Sequence, residues 1–136
     1  MRSNEKWNCA IAGLEVTDYK HQLTAPEGDT ALNEASATFW KSALGETDLD
    51  SKTTKDISPV LIAAKIKQPV FMYAGIDDIR APLGQIFRMK TELESAGNPG
   101  KGYVLKEDER HGFGKLENRV DLYNQILVFP KDQFDR

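Results

Sequence analysis

Two polar loops of the sequence carry an acid and a base of the kind that act together in catalysis. Asp78 lies in residues 75–82, and His111 lies in residues 107–113. A carboxylate that accepts the Nδ1 proton of an imidazole fixes the tautomer of the ring and stabilises its charged form, so that Nε2 can act as a general base. Each residue also has a plain structural interpretation, since acids in turns often satisfy backbone amides.

Three short apolar segments are predicted to form the strands that position these loops. They comprise residues 9–14, 69–75 and 102–106. The apolar residues run without polar alternation, which is typical of parallel strands covered on both faces. Because functional groups of open parallel sheets collect after the carboxyl ends of the strands, the Asp78 and His111 loops are expected to be neighbours. The predicted fold class is α/β, with about three parallel strands and flanking helices.

Helical patterns are predicted between the strands and after the third one. The predicted helices cover residues 31–44, with Gly45 as the stop, then a short helix from Ser58-Pro59, residues 82–96, and residues 116–130. In the last helix, which should end by Pro130, four residues are predicted to face inward: Val120, Tyr123, Ile126 and Leu127. Residues 24–29 and 45–56 are predicted to be polar loops.

Composition excludes several classes of function. The chain has 136 residues and is predicted to be a single domain, 1–136. Its formal net charge of -3 gives no reason to expect a nucleic acid or an anionic membrane as partner. No apolar run approaches the about 20 residues of a membrane span, and no signal peptide is recognisable. The single cysteine, Cys9, fits a reducing compartment, so a cytoplasmic location is predicted.

Cofactor and metal chemistry are not predicted either. Only two histidines are present, and no ligand spacing recurs around His111, Asp108 and Glu109. The other histidine, His21, is interpreted as a solvated loop residue. No cofactor is therefore expected.

The ordered motifs resemble the C-terminal part of the catalytic domain of the prolyl oligopeptidase family, which includes dipeptidyl and acylaminoacyl peptidases. Gly75, Asp78 and Pro82 match a strand that ends in Gly-x-x-Asp-x-x-x-Pro. His111 opens a His-Gly-Phe motif that precedes a final helix. The resemblance covers residues 7–129, and it implies a partial α/β-hydrolase fold.

The same resemblance implies roles for individual residues. Asp78 corresponds to the acid of a catalytic triad and His111 to its general base, with a peptide or an ester as substrate. Aromatic residues after the first strand would line the pocket for the substrate residue before the scissile bond. Tyr19, Phe39 and Trp40 are the candidates, although packing is the more frequent role of such residues.

The nucleophile of such a triad is not recognisable in this sequence. It would lie on a Gly-x-Ser-x-Gly turn between a strand and a helix, and none of the serines has that context: Ser3, Ser36, Ser42, Ser51, Ser58 and Ser95. Cys9 falls at the start of a strand, at the opposite end from the two loops. The chain is therefore interpreted as a truncated hydrolase domain that is inactive alone, because it lacks both the nucleophile and the oxyanion hole.

The missing neighbour of the first strand has a further consequence. An unpaired apolar edge invites association, so a homodimer through that vacated edge is expected. Two other interpretations stay open. One is a non-catalytic interaction or structural protein that reuses the hydrolase scaffold. The other is a small flavodoxin-like binding domain, which would need a phosphate-cradling glycine loop that neither residues 97–100 nor the segment after Leu14 provides.

Overall fold

A three-stranded parallel sheet lies at the centre of the structure, a computed structural model that describes residues 7–45 and 48–134. The strands are β1 (Ala10–Gly13), β2 (Val70–Gly75) and β3 (Gly102–Lys106), in the order β1-β2-β3. The α/β class predicted from the sequence, with three parallel strands, is confirmed.

Helices flank this sheet on both faces. Among the described residues the α-helices are α1 (Tyr19–Thr24), α2 (Asp29–Leu32), α3 (Glu34–Leu44), α4 (Lys52–Ile57), α5 (Gly84–Ser95) and α6 (Leu116–Phe134), and a 3-10 helix covers Pro59–Lys65. None of them is long and apolar enough to cross a membrane.

The core has two halves because side chains of β2 alternate between the faces of the sheet. On one face Val70, Met72 and Ala74 pack with buried residues of α5 and of the 3-10 helix. On the other face Phe71 packs with Phe129 of α6, at a ring-centroid distance of 5.4 Å. Since β2 is the central strand, it is buried along almost its whole length.

The clearest sequence predictions are confirmed. The helix predicted over residues 82–96 is α5, and its inward face consists of the predicted residues Ile86, Met89 and Leu93, all buried. The turn predicted from Ser58-Pro59 is present as the 3-10 helix, with the proline in its first turn.

The prediction of one continuous helix over residues 31–44 is wrong, because the structure has two helices there, α2 and α3. Asn33 is extended, with φ at -140°, and its side chain accepts hydrogen bonds from the backbone of Ala35 and Ser36. The chain therefore ends α2 and begins α3 at this capping residue. The polar loop predicted over residues 45–56 is also wrong in part, because Ser51 caps α4 in the same way.

The last helix runs further than predicted. It does not end by Pro130 but continues to Phe134 with the proline inside. A proline in a helix removes one backbone hydrogen bond, so α6 continues despite this loss.

The inward face of α6 also differs from the prediction. Val120, Tyr123 and Leu127, predicted to face inward, are 51%, 60% and 63% exposed. Leu122 and Phe129 are buried instead, and Ile126 packs against them as predicted. The helix is apolar on more than one face, so hydrophobic spacing does not identify the face that meets the sheet.

Candidate active site

The loops that follow β2 and β3 are joined by backbone hydrogen bonds. Ile76 donates from its amide to the carbonyl of Lys106 at 3.0 Å, and Asp77 donates to the carbonyl of Glu109 at 2.9 Å. A Cβ atom on Gly75 would lie 2.2 Å from that same Glu109 carbonyl oxygen, so only glycine allows this approach. The end of β2 is thus held directly against the loop that carries His111.

Asp78 is held in a fixed orientation by this arrangement. The residue is 3% exposed. Its Oδ1 accepts hydrogen bonds from the backbone amides of Arg80 at 2.8 Å and Ala81 at 3.0 Å. Its Oδ2 lies 2.9 Å from Nδ1 of His111. The carboxylate therefore acts as an acceptor on both oxygens.

His111 is the exposed member of the pair. Its side chain is 39% exposed, whereas that of Asp78 is fully buried. Because an ionised carboxylate only accepts hydrogen bonds, Nδ1 of a neutral His111 carries the proton and Nε2 carries the lone pair. Within residues 7–45 and 48–134 no group hydrogen-bonds Nε2. The arrangement can therefore take a proton from a hydroxyl group placed against the ring.

Glu109 holds the His111 loop against the start of α6. It is 2% exposed and accepts from the backbone amides of Gly114 at 2.6 Å and Lys115 at 3.1 Å, and from the Asn118 side chain at 2.7 Å. The Asn118 amide, with the two backbone amides, lowers the pKa of Glu109. Sequence reasoning considered Glu109 only as a metal ligand. The sequence signal that could have found it is an acidic residue that shortly precedes both a loop histidine and the first turn of a helix.

Glu15, beyond the carboxyl end of β1, is in the opposite situation. Both of its carboxyl oxygens are buried, and neither has a hydrogen bond to another residue in the described part of the chain. Burial raises the pKa of Glu15 to about 7, with a further contribution from the charge of Asp78. Sequence reasoning did not single out this residue, which follows an apolar run and carries no motif.

An open cleft of about 530 Å³ adjoins Asp78. Its lining mixes apolar side chains with both signs of charge: Glu27, Ile76, Asp77, Asp78, Ile79, Leu83 and Arg110. The cleft thus borders the loop that carries Asp78, and His111 is not among its lining residues.

The three aromatic residues predicted to bind substrate lie together in a separate cluster. Trp40 contacts both Tyr19 and Phe39 with ring centroids 5.8 Å apart, which joins α1 to α3. Phe39 is 64% exposed. Their role in substrate binding stays a prediction.

Two of the candidate serines have structural roles, and Cys9 lies away from the Asp78–His111 pair. Ser58 donates from its hydroxyl to the carbonyl of Thr54 at 2.8 Å, and Ser51 caps α4. Cys9 precedes β1, at the end of the sheet away from the two loops. Ser3 lies outside the described residues. In the part of the chain that the structure describes, no group of three or more His, Cys, Asp or Glu residues could hold a metal ion.

Comparison with protein families decides the relationship of the chain. The model of the prolyl oligopeptidase family matches residues 1–136. The chain belongs to the prolyl oligopeptidase family. A comparison with curated protein sequences finds no match.

Solved structures of prolyl oligopeptidase relatives share the fold. An acylaminoacyl peptidase of Pyrococcus horikoshii is 19% identical, with a TM-score of 0.76, over 92% of this chain and 20% of its own. A puromycin-hydrolyzing peptidase of Mycobacterium tuberculosis is 21% identical, with a TM-score of 0.72, over 85% of this chain and 16% of its own.

A third solved structure matches nearly the whole chain. Dipeptidyl peptidase 4 of Porphyromonas gingivalis is 18% identical, with a TM-score of 0.68, over 99% of this chain and 17% of its own. The chain thus has part of an α/β-hydrolase fold and spans at most about a fifth of the length of these relatives.

Proposed function

We propose that this chain supplies the acid and the general base of a serine-hydrolase triad that acts on peptide or ester bonds. Asp78 orients the imidazole, and His111 moves the proton. The hydrogen bond of 2.9 Å between Asp78 Oδ2 and His111 Nδ1 carries this proposal. Membership of the prolyl oligopeptidase family supports the class of reaction.

The proton transfers follow from the geometry of the pair. Nε2 of His111 accepts the proton of a hydroxyl nucleophile while the oxygen bonds to the substrate carbonyl carbon. The imidazolium then gives this proton to the leaving amine or alkoxide as the scissile bond breaks. Asp78 stays ionised throughout, because it accepts from two backbone amides besides the imidazole.

In this proposal the nucleophile is not one of the serines of this sequence. No Gly-x-Ser-x-Gly turn is present, and no serine stands next to Nε2 of His111 among the described residues. The chain alone is therefore expected to be inactive until a second polypeptide segment places a serine beside His111.

Two chemical probes test the proposal on the full chain. Diethyl pyrocarbonate acylates an accessible, neutral imidazole, so it should modify His111 faster than His21, whose Nε2 is buried. Asp78→Asn should slow the modification of His111, and the matched change Asp77→Asn at the exposed neighbour should not. A fluorophosphonate probe should label no residue.

Two results would overturn parts of this assignment. Equal His111 acylation in the wild-type chain and in Asp78→Asn would reject the acid–base pair. Fluorophosphonate labelling that disappears in His111→Ala would reject the absence of a nucleophile, and the serine found would identify it.

A second copy of the chain is the proposed partner, and the apolar surface around α6 favours it. The α6 stripe, defined as Leu116, Val120, Tyr123 and Leu127, is spaced as one helix face and is exposed. Ile11 of the edge strand β1 is also 38% exposed. Exposed apolar surface on a helix and on an edge strand favours a twofold dimer.

Light scattering at micromolar concentration tests this dimer. The wild-type chain should have twice the mass of the monomer, and Leu127→Lys should shift it to the monomer by burying a charge in the interface. The matched control is Leu61→Lys, at a residue that is 61% exposed on the 3-10 helix. A folded wild-type monomer contradicts the dimer. A wild-type dimer whose mass is unchanged in Leu127→Lys contradicts the α6 stripe as its interface.

A further inference from the structure

Two buried glutamines lie between the Asp78 loop and the segment that connects β1 to α1. Gln22 of α1 and Gln85 of α5 are 0% and 1% exposed. Burying a side-chain amide is unfavourable unless its donors and acceptor are hydrogen-bonded. Their partners therefore indicate what these two residues hold in place.

Gln85 is bonded on both sides of its amide. Its Oε1 accepts from the backbone amides of Thr17 at 3.0 Å and Asp18 at 2.8 Å, and the Thr17 hydroxyl donates to the backbone carbonyl of Gln85 at 2.7 Å. Its Nε2 donates to the carbonyl of Asp18 at 3.1 Å and to Oε1 of Gln22 at 3.2 Å. These partners fix the Gln85 amide relative to the segment that connects β1 to α1.

Gln22 connects Gln85 to the Asp78 loop by hydrogen bonds. Its Nε2 donates to the carbonyl of Arg80 at 2.7 Å. The backbone amide of the same residue, Arg80, donates to Oδ1 of Asp78 at 2.8 Å. A continuous series of hydrogen bonds thus joins Gln85, Gln22, Arg80, Asp78 and His111.

We propose that Gln22 and Gln85 are positioning residues, which hold the backbone at Arg80 so that Asp78 presents Oδ2 to Nδ1 of His111. We call this series of hydrogen bonds the amide relay. Asp78 cannot rotate without losing the Arg80 and Ala81 amides on Oδ1. Gln22 holds this backbone through the Arg80 carbonyl, beside the hydrogen bond of 2.7 Å from the Asp29 amide to the Ile79 carbonyl. The catalytic consequence rests on the proposed function, whereas the effect on the loop does not.

The amide relay differs in a measurable way from ordinary core packing. A core residue stabilises the whole fold, so its loss increases hydrogen exchange throughout the structure. A positioning residue affects the groups that it holds. Loss of Gln22 should therefore act first on the Arg80 and Ala81 amides and on the Nδ1 proton of His111.

NMR of the full chain with Gln22→Met tests this inference, since methionine fills the space without replacing the hydrogen bonds. Exchange of the Arg80 and Ala81 amides should rise about fivefold to tenfold relative to amides of β2 and β3. The Nδ1 proton signal of His111 should broaden or disappear. The control is Leu93→Ala, a fully buried residue of α5 outside the relay, which should raise exchange evenly.

The inference is overturned if Gln22→Met leaves the Arg80 amide and the His111 signal as in the wild type, or changes exchange as evenly as Leu93→Ala. If the variant does not fold, the wild-type chain still provides the test. Its Gln22 and Gln85 side-chain amide protons should exchange slowly and show a mutual nuclear Overhauser effect. Fast exchange of these protons rejects the relay.

Asp78→Asn separates failure of the relay from failure of the proposed function. Loss of the His111 Nδ1 signal in Asp78→Asn but not in Gln22→Met rejects the relay alone. An unchanged signal in Asp78→Asn rejects the acid–base pair itself.

Discussion

A glutamate with a buried carboxyl group follows each of the strands β1 and β3, but only one of the two accepts hydrogen bonds from other described residues. Glu109 accepts from two backbone amides and one side-chain amide, and its pKa is lowered. Glu15 has buried oxygens without a bond to another described residue, and its pKa is raised to about 7. One type of side chain thus has its pKa shifted in opposite directions in the loops that follow the two edge strands.

The difference between the two glutamates lies in the hydrogen-bond donors that surround each carboxyl group. At β3, the loop and the first turn of α6 supply all the donors that the carboxylate needs. At β1, no other residue in the described part of the chain supplies a donor to Glu15, although β1 and β3 are both edge strands that pair with β2. The donors for the carboxylate in the His111 loop are thus supplied by this chain itself.

The largest effect is expected from Glu109→Ala. It leaves the backbone amides of Gly114 and Lys115 and the Asn118 side chain without their acceptor, so the His111 loop should lose its attachment to α6. The urea midpoint at pH 7 should fall more than for Glu15→Gln or Asp78→Asn. Because the folded-state pKa is lowered, this stabilisation is present above the ordinary value of 4.5 and is lost as the pH falls below it.

Glu107→Ala, at an exposed position two residues earlier, is the matched control for this change. It should leave the midpoint close to that of the wild type. Equal midpoints for Glu109→Ala and Glu107→Ala would show that the end of β3 does not depend on its buried carboxylate.

Glu15→Gln should have an effect of opposite sign. The folded-state pKa of about 7 lies above the ordinary 4.5, so the penalty for ionising the buried carboxyl is absent below 4.5 and develops as the pH rises through 7. The variant should therefore be more stable than the wild type by about 2 to 3 kcal/mol at pH 8, and equally stable at pH 4. Urea denaturation at the two pH values measures this difference.

Glu92→Gln, at an exposed position of α5, controls for the loss of one negative charge. It should change stability little at either pH. A Glu15→Gln chain that is no more stable than wild type at pH 8 would mean that the end of β1 is as well provided with donors as the end of β3.

Of the three changes at buried carboxyl groups, Asp78→Asn is expected to alter stability least, by about 1 kcal/mol, because the carbonyl oxygen of asparagine can still accept from the backbone of Arg80 and Ala81. Its side-chain NH₂ would face Nδ1 of His111 and move the ring proton to Nε2. The ¹⁵N chemical shifts of the imidazole report this tautomer directly. An unchanged tautomer would show that Asp78 does not orient the ring.

The strands and the inward face of α5 could be predicted because their signals are local. Residues 69–75 form an apolar run that ends in glycine, which only a buried strand explains well, and Ile86, Met89 and Leu93 repeat at helical spacing. The succession of strand and polar loop also indicated that Asp78 and His111 share one edge of the sheet. Their distance of 2.9 Å is a result of the tertiary structure.

The inward face of α6 could not be predicted, because apolar residues occur on more than one of its faces. Val120 and Leu122 are both apolar, yet only Leu122 is buried, since the position of β3 and β2 decides which face is covered. The roles proposed for Gln22 and Gln85 could not be predicted from the sequence either. Their partners come from segments far away in sequence, and a glutamine beside an apolar residue carries no local signature.

The sequence by itself determined the identity and order of the candidate site residues, an aspartate after the second strand and a histidine after the third. Local spacing and glycine positions are sufficient for that, because they depend on residues close in the chain. Only the tertiary structure decided which carboxylates are provided with donors. Proton affinity depends on burial and on partners from distant segments, and these become defined only when the sheet and helices pack.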